Sequence, residues 1–167
     1  MGLIGIIADT HDNVANIRKA VALFRKENVE FVFHLGNITS PATVKLFKGL
    51  RVRFVAGNED KDIANIARNV RDIGGQIGNY YYLIEGGKTI AAIHGENRKA
   101  VDKLAGSRRF DYVLHGNVHT KRLEKVGKRT TIVNPGGHYP EDSQAIVFLD
   151  PEKGKIRFVS LKSRKRS

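Results

Sequence analysis

The sequence predicts an α/β (or α+β) protein in which two sheets pack together and helices cover their outer faces. The first half alternates apolar runs with segments of helical period, in the order βαβαβα. This order requires a parallel sheet with right-handed crossovers. The second half consists mostly of β-rich runs joined by glycine turns, which is typical of hairpins. Two packed sheets with outer helices satisfy both halves.

The first half contains three apolar runs, and each run precedes a helical pattern. Apolar residues from Val14 to Phe24 recur at helical spacing, with Asp12 or Asn13 as the N-cap. Ser40 and Pro41 are typical of a helix start. The predicted strands cover residues 2–8, 29–35 and 51–56, and the predicted helices cover residues 14–24, 41–48 and 61–69.

The second half begins after Gly74-Gly75, where the alternating pattern stops. Glycine turns between β-rich runs predict three hairpins, formed by residues 80–85 with 88–93, 121–126 with 129–133, and 144–149 with 155–161. A helix over residues 98–105 and a strand over residues 111–114 separate the first two hairpins. No repeat or interdomain linker interrupts this order, so we expect one domain over residues 1–161.

The composition of this 167-residue chain limits the classes of function open to it. It contains no cysteine, which excludes disulfides and thiolate metal sites and fits a reducing compartment, so we expect a cytoplasmic protein. We find no signal peptide and no apolar run long enough to span a bilayer, so we expect no membrane partner. The sequence does not indicate an oligomeric state.

The net charge of +12 predicts attraction to polyanions such as nucleic acid or phosphorylated molecules. Basic residues are concentrated at the end of the chain, and residues 162–167 are predicted to form a basic tail. The tail could bind nucleic acid through phosphates without sequence preference. Simple solvation of these charges explains them equally well.

Polar residues beside glycine, or in short polar loops, follow five of the predicted strands. These segments are Asp9-Thr10-His11, Gly36-Asn37, Gly57-Asn58, His94-Gly95 and Asn117-Val118-His119. Taken alone, the first is a metal site, a catalytic pair or neither, and a Gly-Asn pair is more often a simple turn. Because parallel strands bring their carboxyl ends to one edge, we expect the five segments to meet there. Imidazole and carboxylate ligands suit Mn, Fe, Ni or Zn.

These motifs resemble those of the calcineurin-like metallophosphoesterases, in particular the small bacterial and archaeal phosphodiesterases. The family order is Asp-x-His, Gly-Asp, Gly-Asn, His-Gly-His and Gly-His-x-His, and Asn134-Pro135-Gly136 fits the Asn-Pro-Gly found near its end. The resemblance covers nearly the whole chain. It implies a four-layer α/β/β/α sandwich of two mixed sheets and a hydrolase that uses two divalent metal ions.

The resemblance also implies which residues hold the metals. The first ion would be held by Asp9, His11 and His119, and the second by Asn58 and His94. Asn37 stands at the position of the carboxylate that bridges the two ions, and Asn117 at the position of a histidine of the second site. Asn58 and His94 would also be catalytic: both could contact phosphate oxygens, and His94 could protonate the leaving group.

Asn37 and Asn117 depart from the family pattern in ways that should weaken the second site. A carboxamide is neutral and offers one acceptor oxygen, so Asn37 could serve one ion but could not bridge two. Asn117 replaces a histidine of the family pattern, so the second site loses an imidazole ligand. A milder departure, Glu96 in place of a histidine, puts a carboxylate near the cleft. We therefore expect one divalent ion at the first site, with Asn37 as a candidate fourth oxygen, and weak or no binding at the second.

Three functions fit these observations. The first is a metal-dependent phosphoesterase that hydrolyses a phosphodiester by metal-activated water. The second is a catalytically degenerate member that acts as a scaffold, as the resembling retromer subunit does. The third is a nucleic-acid binder that relies on charge. We favour the first because five of the seven ligand positions match the family pattern.

Overall fold

A computed structural model describes residues 2–164 of the chain. It contains eleven strands and four helices over these residues. The strands are β1 (Ile4–Ile7), β2 (Phe31–His34), β3 (Val52–Val55), β4 (Gln76–Gly78), β5 (Tyr80–Glu85), β6 (Lys88–Ile93), β7 (Tyr112–Leu114), β8 (Arg122–Val126), β9 (Thr130–Asn134), β10 (Ala145–Asp150) and β11 (Lys155–Ser160). The helices are α1 (Val14–Lys26), α2 (Pro41–Val44), α3 (Ile63–Asp72) and α4 (Arg98–Gly106), and a 3₁₀ turn over Lys45–Phe47 continues α2.

Two mixed sheets are formed, as the sequence predicts. The first has the order β11-β10-β1-β2-β3-β4, with β1 to β4 parallel and the β10–β11 hairpin antiparallel beside β1. The second has the order β5-β6-β7-β9-β8, with a parallel centre of β6, β7 and β9 flanked by the antiparallel β5 and β8. All three predicted hairpins are present.

Three apolar cores separate four layers. The core between the first sheet and its helices contains Phe24 of α1 and Phe54 of β3. The core between the sheets contains Phe33 of β2 and Leu114 of β7. The core beneath α4 contains Val101 and residues of the second sheet. The predicted four-layer α/β/β/α sandwich is therefore confirmed.

The helices α1 and α2 begin at the capping residues that the sequence predicts. The side-chain oxygen of Asn13 accepts from the backbone N–H of Asn16 at the start of α1. Ser40 caps α2 in the same way, through Ala42 at 3.2 Å. These side chains satisfy backbone donors that have no partner within the first turn of a helix.

The predicted basic tail is described only in part. Residues 162–164 follow β11 without regular structure, and residues 165–167 lie outside the described part of the chain. None of the four helices within residues 2–164 has the length and apolar character that a bilayer crossing requires.

Candidate metal centre

All seven predicted metal-site residues meet at one end of the two sheets. Three of them, Asp9, Asn37 and Asn58, follow strands of the first sheet, and His94 follows β6 of the second. Side-chain contacts connect these four residues in series. Asn37 Nδ2 lies 3.1 Å from Asp9 Oδ1 and 3.3 Å from Asn58 Oδ1. Asn58 Oδ1 in turn lies 2.9 Å from His94 Nε2. The predicted convergence of strand ends on one cleft is therefore present.

The backbone at this end adopts left-handed conformations at several residues other than glycine. The φ angles are 49° at Asp9, 42° at His11, 59° at Asn37 and 66° at Asn117. Such angles are uncommon for residues with a side chain, and they concentrate at functional sites. Backbone hydrogen bonds from Asp9 to Gly36 O and from His11 to Asn37 O hold the turn after β1 against the turn after β2.

Asp9 lies at the centre of the cleft and is fully buried. Its Oδ2 accepts a 2.7 Å hydrogen bond from the backbone N–H of Asn117, and its Oδ1 accepts from Asn37. Burial raises the pKa of Asp9, and this outweighs the lowering by nearby histidines and by the Asn117 hydrogen bond. A nearby cation would compensate for burying this carboxylate.

His11 and His119 both direct Nε2 toward Asp9. Each Nε2 lies 3.9 Å from Asp9 Oδ1. Among the described residues, the buried Nε2 of His11 has no hydrogen-bond partner. Burial lowers the pKa of His11, although Asp9 opposes this effect. A lowered pKa favours the neutral imidazole, which is the form that ligates metals.

Asp142 and Tyr139 position these two imidazoles. Asp142 Oδ2 lies 3.2 Å from His119 Nδ1 and accepts the backbone N–H of Tyr139. The Tyr139 ring stacks on His11 with 4.7 Å between the ring centroids. A carboxylate on the far nitrogen of a histidine is the usual partner of a metal-ligating imidazole.

The three residues therefore fit one metal ion. Their ligand atoms lie within 4.8 Å of one another, and they form the metal-competent His/Asp/Glu group found among residues 2–164. One carboxylate and two imidazoles suit divalent first-row metals. The buried and unpaired Nε2 atom of His11 is the observation that favours an ion, because a buried polar atom normally has a partner.

Asn37 presents its nitrogen, and not its oxygen, to Asp9. The side-chain oxygen of Asn37 accepts the backbone N–H of Glu59 at 2.9 Å, and this bond leaves the NH₂ group to face Asp9 and Asn58. Asp60 fixes the same turn by accepting the backbone N–H groups of Asn37 and Gly57. This orientation differs from our expectation that Asn37 offers a fourth oxygen, because an NH₂ group cannot ligate a cation.

His94 and Asn58 bring two lone-pair atoms together at the second site. The Nδ1–H of His94 donates to the Leu35 carbonyl at 2.7 Å. A neutral ring then carries its lone pair on Nε2, which faces Asn58 Oδ1. Two acceptors at this distance need a proton or a cation between them. The second site thus keeps two ligand atoms, while the NH₂ of Asn37 stands beside them.

Asn117 and Glu96 contribute less than the pattern suggests. Asn117 contacts Asp9 through its backbone N–H. Glu96 is exposed and lies outside the group formed by Asp9, His11 and His119.

Gly57 and Gly116 allow the backbone to approach the site closely. A Cβ on Gly57 would meet the Asn37 side chain and backbone, and a Cβ on Gly116 would lie 2.8 Å from Asp9 Oδ2. Only glycine fits at these two strand ends without displacing a neighbouring group.

The motif pattern missed Asp60, Tyr139 and Asp142. Asp60 lies three residues after Gly57, a spacing at which a carboxylate can accept N–H groups of its own turn. Asp142 has no comparable signal, because its partner His119 is 23 residues earlier in the chain and the loop 139–143 has no periodic pattern.

Comparison with known proteins agrees with the geometry. The sequence profile of the calcineurin-like phosphoesterase superfamily domain matches residues 3–154. A phosphodiesterase of Methanocaldococcus jannaschii is 31% identical over 164 residues, which span 95% of this chain and 98% of the relative.

Solved structures show the same arrangement of sheets. A novel archaeal phosphodiesterase superposes with a TM-score of 0.89 at 30% identity, covering 95% of this chain and 99% of that one. The phosphoesterase Yfce of E. coli gives 0.68 at 15% identity over 96% and 100% of the two chains. Vps29 of Chaetomium thermophilum gives 0.69 at 17% identity over 95% of each. At such identities the last two show only a shared fold.

Proposed function

The chain belongs to the calcineurin-like phosphoesterase superfamily, and from this membership we propose that it is a metal-dependent phosphodiesterase. The name of the 31% identical relative supports hydrolysis of phosphodiesters. The observation that carries the proposal is the convergence of Asp9, His11 and His119, with the Nε2 of His11 buried and unpaired among the described residues.

We propose one resident divalent ion, Mn, Ni, Fe or Zn, held by Asp9, His11 and His119. An ion in this position would polarise a phosphoryl oxygen and lower the pKa of water. Support for weak binding at the second site comes from the NH₂ group of Asn37, which faces Asp9 and Asn58 where the family pattern has a carboxylate.

The other residues of the cleft would bind the phosphate and move a proton. Hydrolysis breaks one P–O bond, forms another to the oxygen of water, and delivers a proton to the leaving oxygen. His94 would supply that proton from Nε2 in its imidazolium form, in which Nδ1–H donates to the Leu35 carbonyl and Nε2–H faces Asn58 Oδ1 in the cleft. Asn58 lies beside this nitrogen and could contact a phosphate oxygen. The charge of +12 would attract the anionic ester.

Hydrolysis of bis(p-nitrophenyl) phosphate with Mn²⁺ or Ni²⁺ tests this function. We expect Asp9→Asn to lower kcat/KM by at least about 100-fold, since one ion supplies several kcal/mol of transition-state stabilisation. Asp62→Asn, the same change at the exposed start of α3, is the control and should keep the wild-type rate. Equal rates for wild type and Asp9→Asn would exclude the proposed enzyme.

A second candidate, a family member without activity that acts as a scaffold, is favoured by the orientation of Asn37. The NH₂ group of Asn37 donates hydrogen bonds to Asp9 and Asn58. These bonds fill the interior of the cleft with protein contacts in place of a second ion. A protein of this kind would bind its partner without a metal and would hydrolyse no ester.

The variant Asn37→Asp/Asn117→His separates the two candidates. If the two asparagines limit an existing enzyme, the variant should bind a second ion in a calorimetric titration and hydrolyse the ester orders of magnitude faster. Asn28→Asp is the matched control, because Asn28 is an exposed residue with a similar φ of 51°. An inactive wild type would support the scaffold.

A further inference from the structure

A cavity of about 470 Å³ opens beside the metal centre. His94 and Gly95, at the end of β6, form the wall that this cavity shares with the metal centre. Its volume falls in the range of pockets that bind small organic ligands, about 300–1,000 Å³. A group seated in the cavity would therefore be adjacent to any phosphate bound at His94.

One wall of the cavity is aromatic. Tyr80 and Tyr82 project from the outer face of the edge strand β5 with 59% and 53% of their surface exposed. The two ring centroids are 4.8 Å apart, and the Phe110 ring lies 5.2 Å from that of Tyr82. Adjacent exposed rings leave apolar surface in water, which is a common mark of a binding site.

The rest of the lining combines apolar and charged side chains. Leu104 and Lys103 of α4 belong to it, and Arg109 lies in the segment that follows this helix. These two cations outnumber Glu96, the one carboxylate of the lining, and would attract a ligand that carries phosphate as well as a flat apolar group.

We propose that this cavity binds the nucleobase of a nucleotide phosphodiester, while the scissile phosphate lies at His94 in the metal centre. The inference rests on the proposed phosphodiesterase function and names its substrate class. Stacking on aromatic rings accepts any base and is worth about 1–3 kcal/mol per base. An alkyl phosphodiester has no flat face to stack, so the tyrosines favour a nucleoside ester over an alkyl one.

Two esters that release the same p-nitrophenolate test this inference: thymidine 5′-(p-nitrophenyl phosphate) and methyl p-nitrophenyl phosphate. We expect wild-type kcat/KM to be roughly tenfold higher for the thymidine ester, which corresponds to one stacking contact. Tyr82→Ala should reduce this preference toward one, and Tyr82→Phe, which keeps the ring, should retain it.

Ile84→Ala is the matched control, because Ile84 lies on the same outward face of β5, is 71% exposed and does not line the cavity. It should leave the preference unchanged. If both esters are hydrolysed and their ratio of kcat/KM is the same in wild type and Tyr82→Ala, the nucleobase pocket is excluded. The proposed phosphodiesterase function would still stand. An equal loss for both esters in Tyr82→Ala would also overturn the nucleobase pocket, because the cavity would then hold the p-nitrophenyl group.

A calorimetric titration with thymidine 5′-monophosphate distinguishes failure of the inference from failure of the proposed function. If neither ester is hydrolysed, nucleotide binding that Tyr82→Ala weakens about tenfold supports the pocket by itself. Absence of binding would overturn it. A change in oligomeric state in Tyr82→Ala, with the preference retained, would instead assign the rings to a contact with a second copy of the chain.

Discussion

His119 receives its orientation from Asp142, a carboxylate that lies in an irregular loop. The oxygen that faces His119 Nδ1 also accepts the backbone N–H of Tyr139, whose ring stacks on His11. Asp142 therefore fixes one proposed metal ligand directly and reaches the other through the Tyr139 segment. Individual side chains outside the motifs hold the ligands in place.

We predict that Asp142→Asn weakens metal affinity about 10- to 100-fold, the usual cost of losing such a partner. The neutral amide would no longer increase the basicity of His119. Isothermal titration of the metal-free protein with Mn²⁺ measures the effect. Glu141→Gln, at the exposed neighbouring residue, should bind Mn²⁺ as the wild type does. Equal affinities for Asp142→Asn and wild type would show that Asp142 does not position the ligand.

For individual residues, the sequence predicted which residue types form the site but did not predict how their side chains are oriented. Asp9 and His11 stand out because they end an apolar run, and His94 and His119 follow later runs in the same way. The direction of the Asn37 amide depends on the backbone N–H of Glu59, 22 residues away, and no local pattern contains that contact.

The ends of β1, β2, β3, β6 and β7 are the elements on which the cleft depends. Each strand ends in a turn that projects a polar side chain, and glycines keep the turns close together. Gly116, which follows β7, is one of these, since a Cβ at this position would meet Ala8 and the carboxylate of Asp9. The geometry of the site is thus set by the space between turns as well as by the side chains.

We predict that Gly116→Ala lowers the free energy of unfolding by about 1–3 kcal/mol and reduces metal affinity. The added methyl would lie 2.8 Å from Asp9 Oδ2, so the carboxylate or the turn would have to move. Urea unfolding and Mn²⁺ titration measure the two effects. Gly106→Ala, at the end of α4 with open space around it, should be neutral or slightly stabilising. Wild-type stability and wild-type Mn²⁺ affinity in Gly116→Ala would mean that the turn adjusts to the added methyl group without cost.

Most elements were predictable from the sequence, and the exceptions have physical reasons. The strand β4 was missed because Gln76-Ile77-Gly78 is short and follows Gly74-Gly75, so its pairing with β3 determines its conformation. The helix predicted over residues 61–69 covers Ile63–Asp72, since it continues to the turn at Gly74. The β10–β11 hairpin was predicted, but its pairing with β1 joins residues about 140 positions apart and leaves no local signal.

On the scale of the whole molecule, the layered core buries histidines that cannot easily take up a proton. Burial lowers the pKa of His34 to about 3 and that of His138 to about 4. His34 packs against the rings of Phe54 in β3 and Phe47 in the 3₁₀ turn after α2, and its Nε2 contacts Thr10. The folded protein therefore holds both rings neutral at mildly acidic pH.

We predict that the metal-free protein loses stability as the pH falls from about 6.5 toward 4. In this window the unfolded chain, whose histidines have ordinary pKa values, binds protons that His34 and His138 do not bind in the folded state. Each such group contributes a slope of up to about 1.4 kcal/mol per pH unit. Urea unfolding in the presence of a chelator at several pH values measures the slope.

His34→Gln removes one of the histidines whose pKa burial lowers and should make this slope shallower by up to one proton. The comparison is between slopes, so a general loss of stability in the variant does not affect it. An unchanged slope would contradict the assignment of a low pKa to His34.

Nucleic-acid binding through the basic surface, and a cytoplasmic location, stay predictions from the sequence.

The hydrogen bonds between the two sheets at the cleft have a consequence for ligand binding. Asn117 donates its backbone N–H to Asp9, and His94 donates Nδ1–H to the Leu35 carbonyl, both at 2.7 Å and both from the second sheet to the first. The two halves of the site are therefore joined by the protein itself. This is preorganisation: an incoming ion or ester does not bear the entropic cost of assembling the cleft. Differences in affinity among variants should then report on the chemistry of the individual ligands.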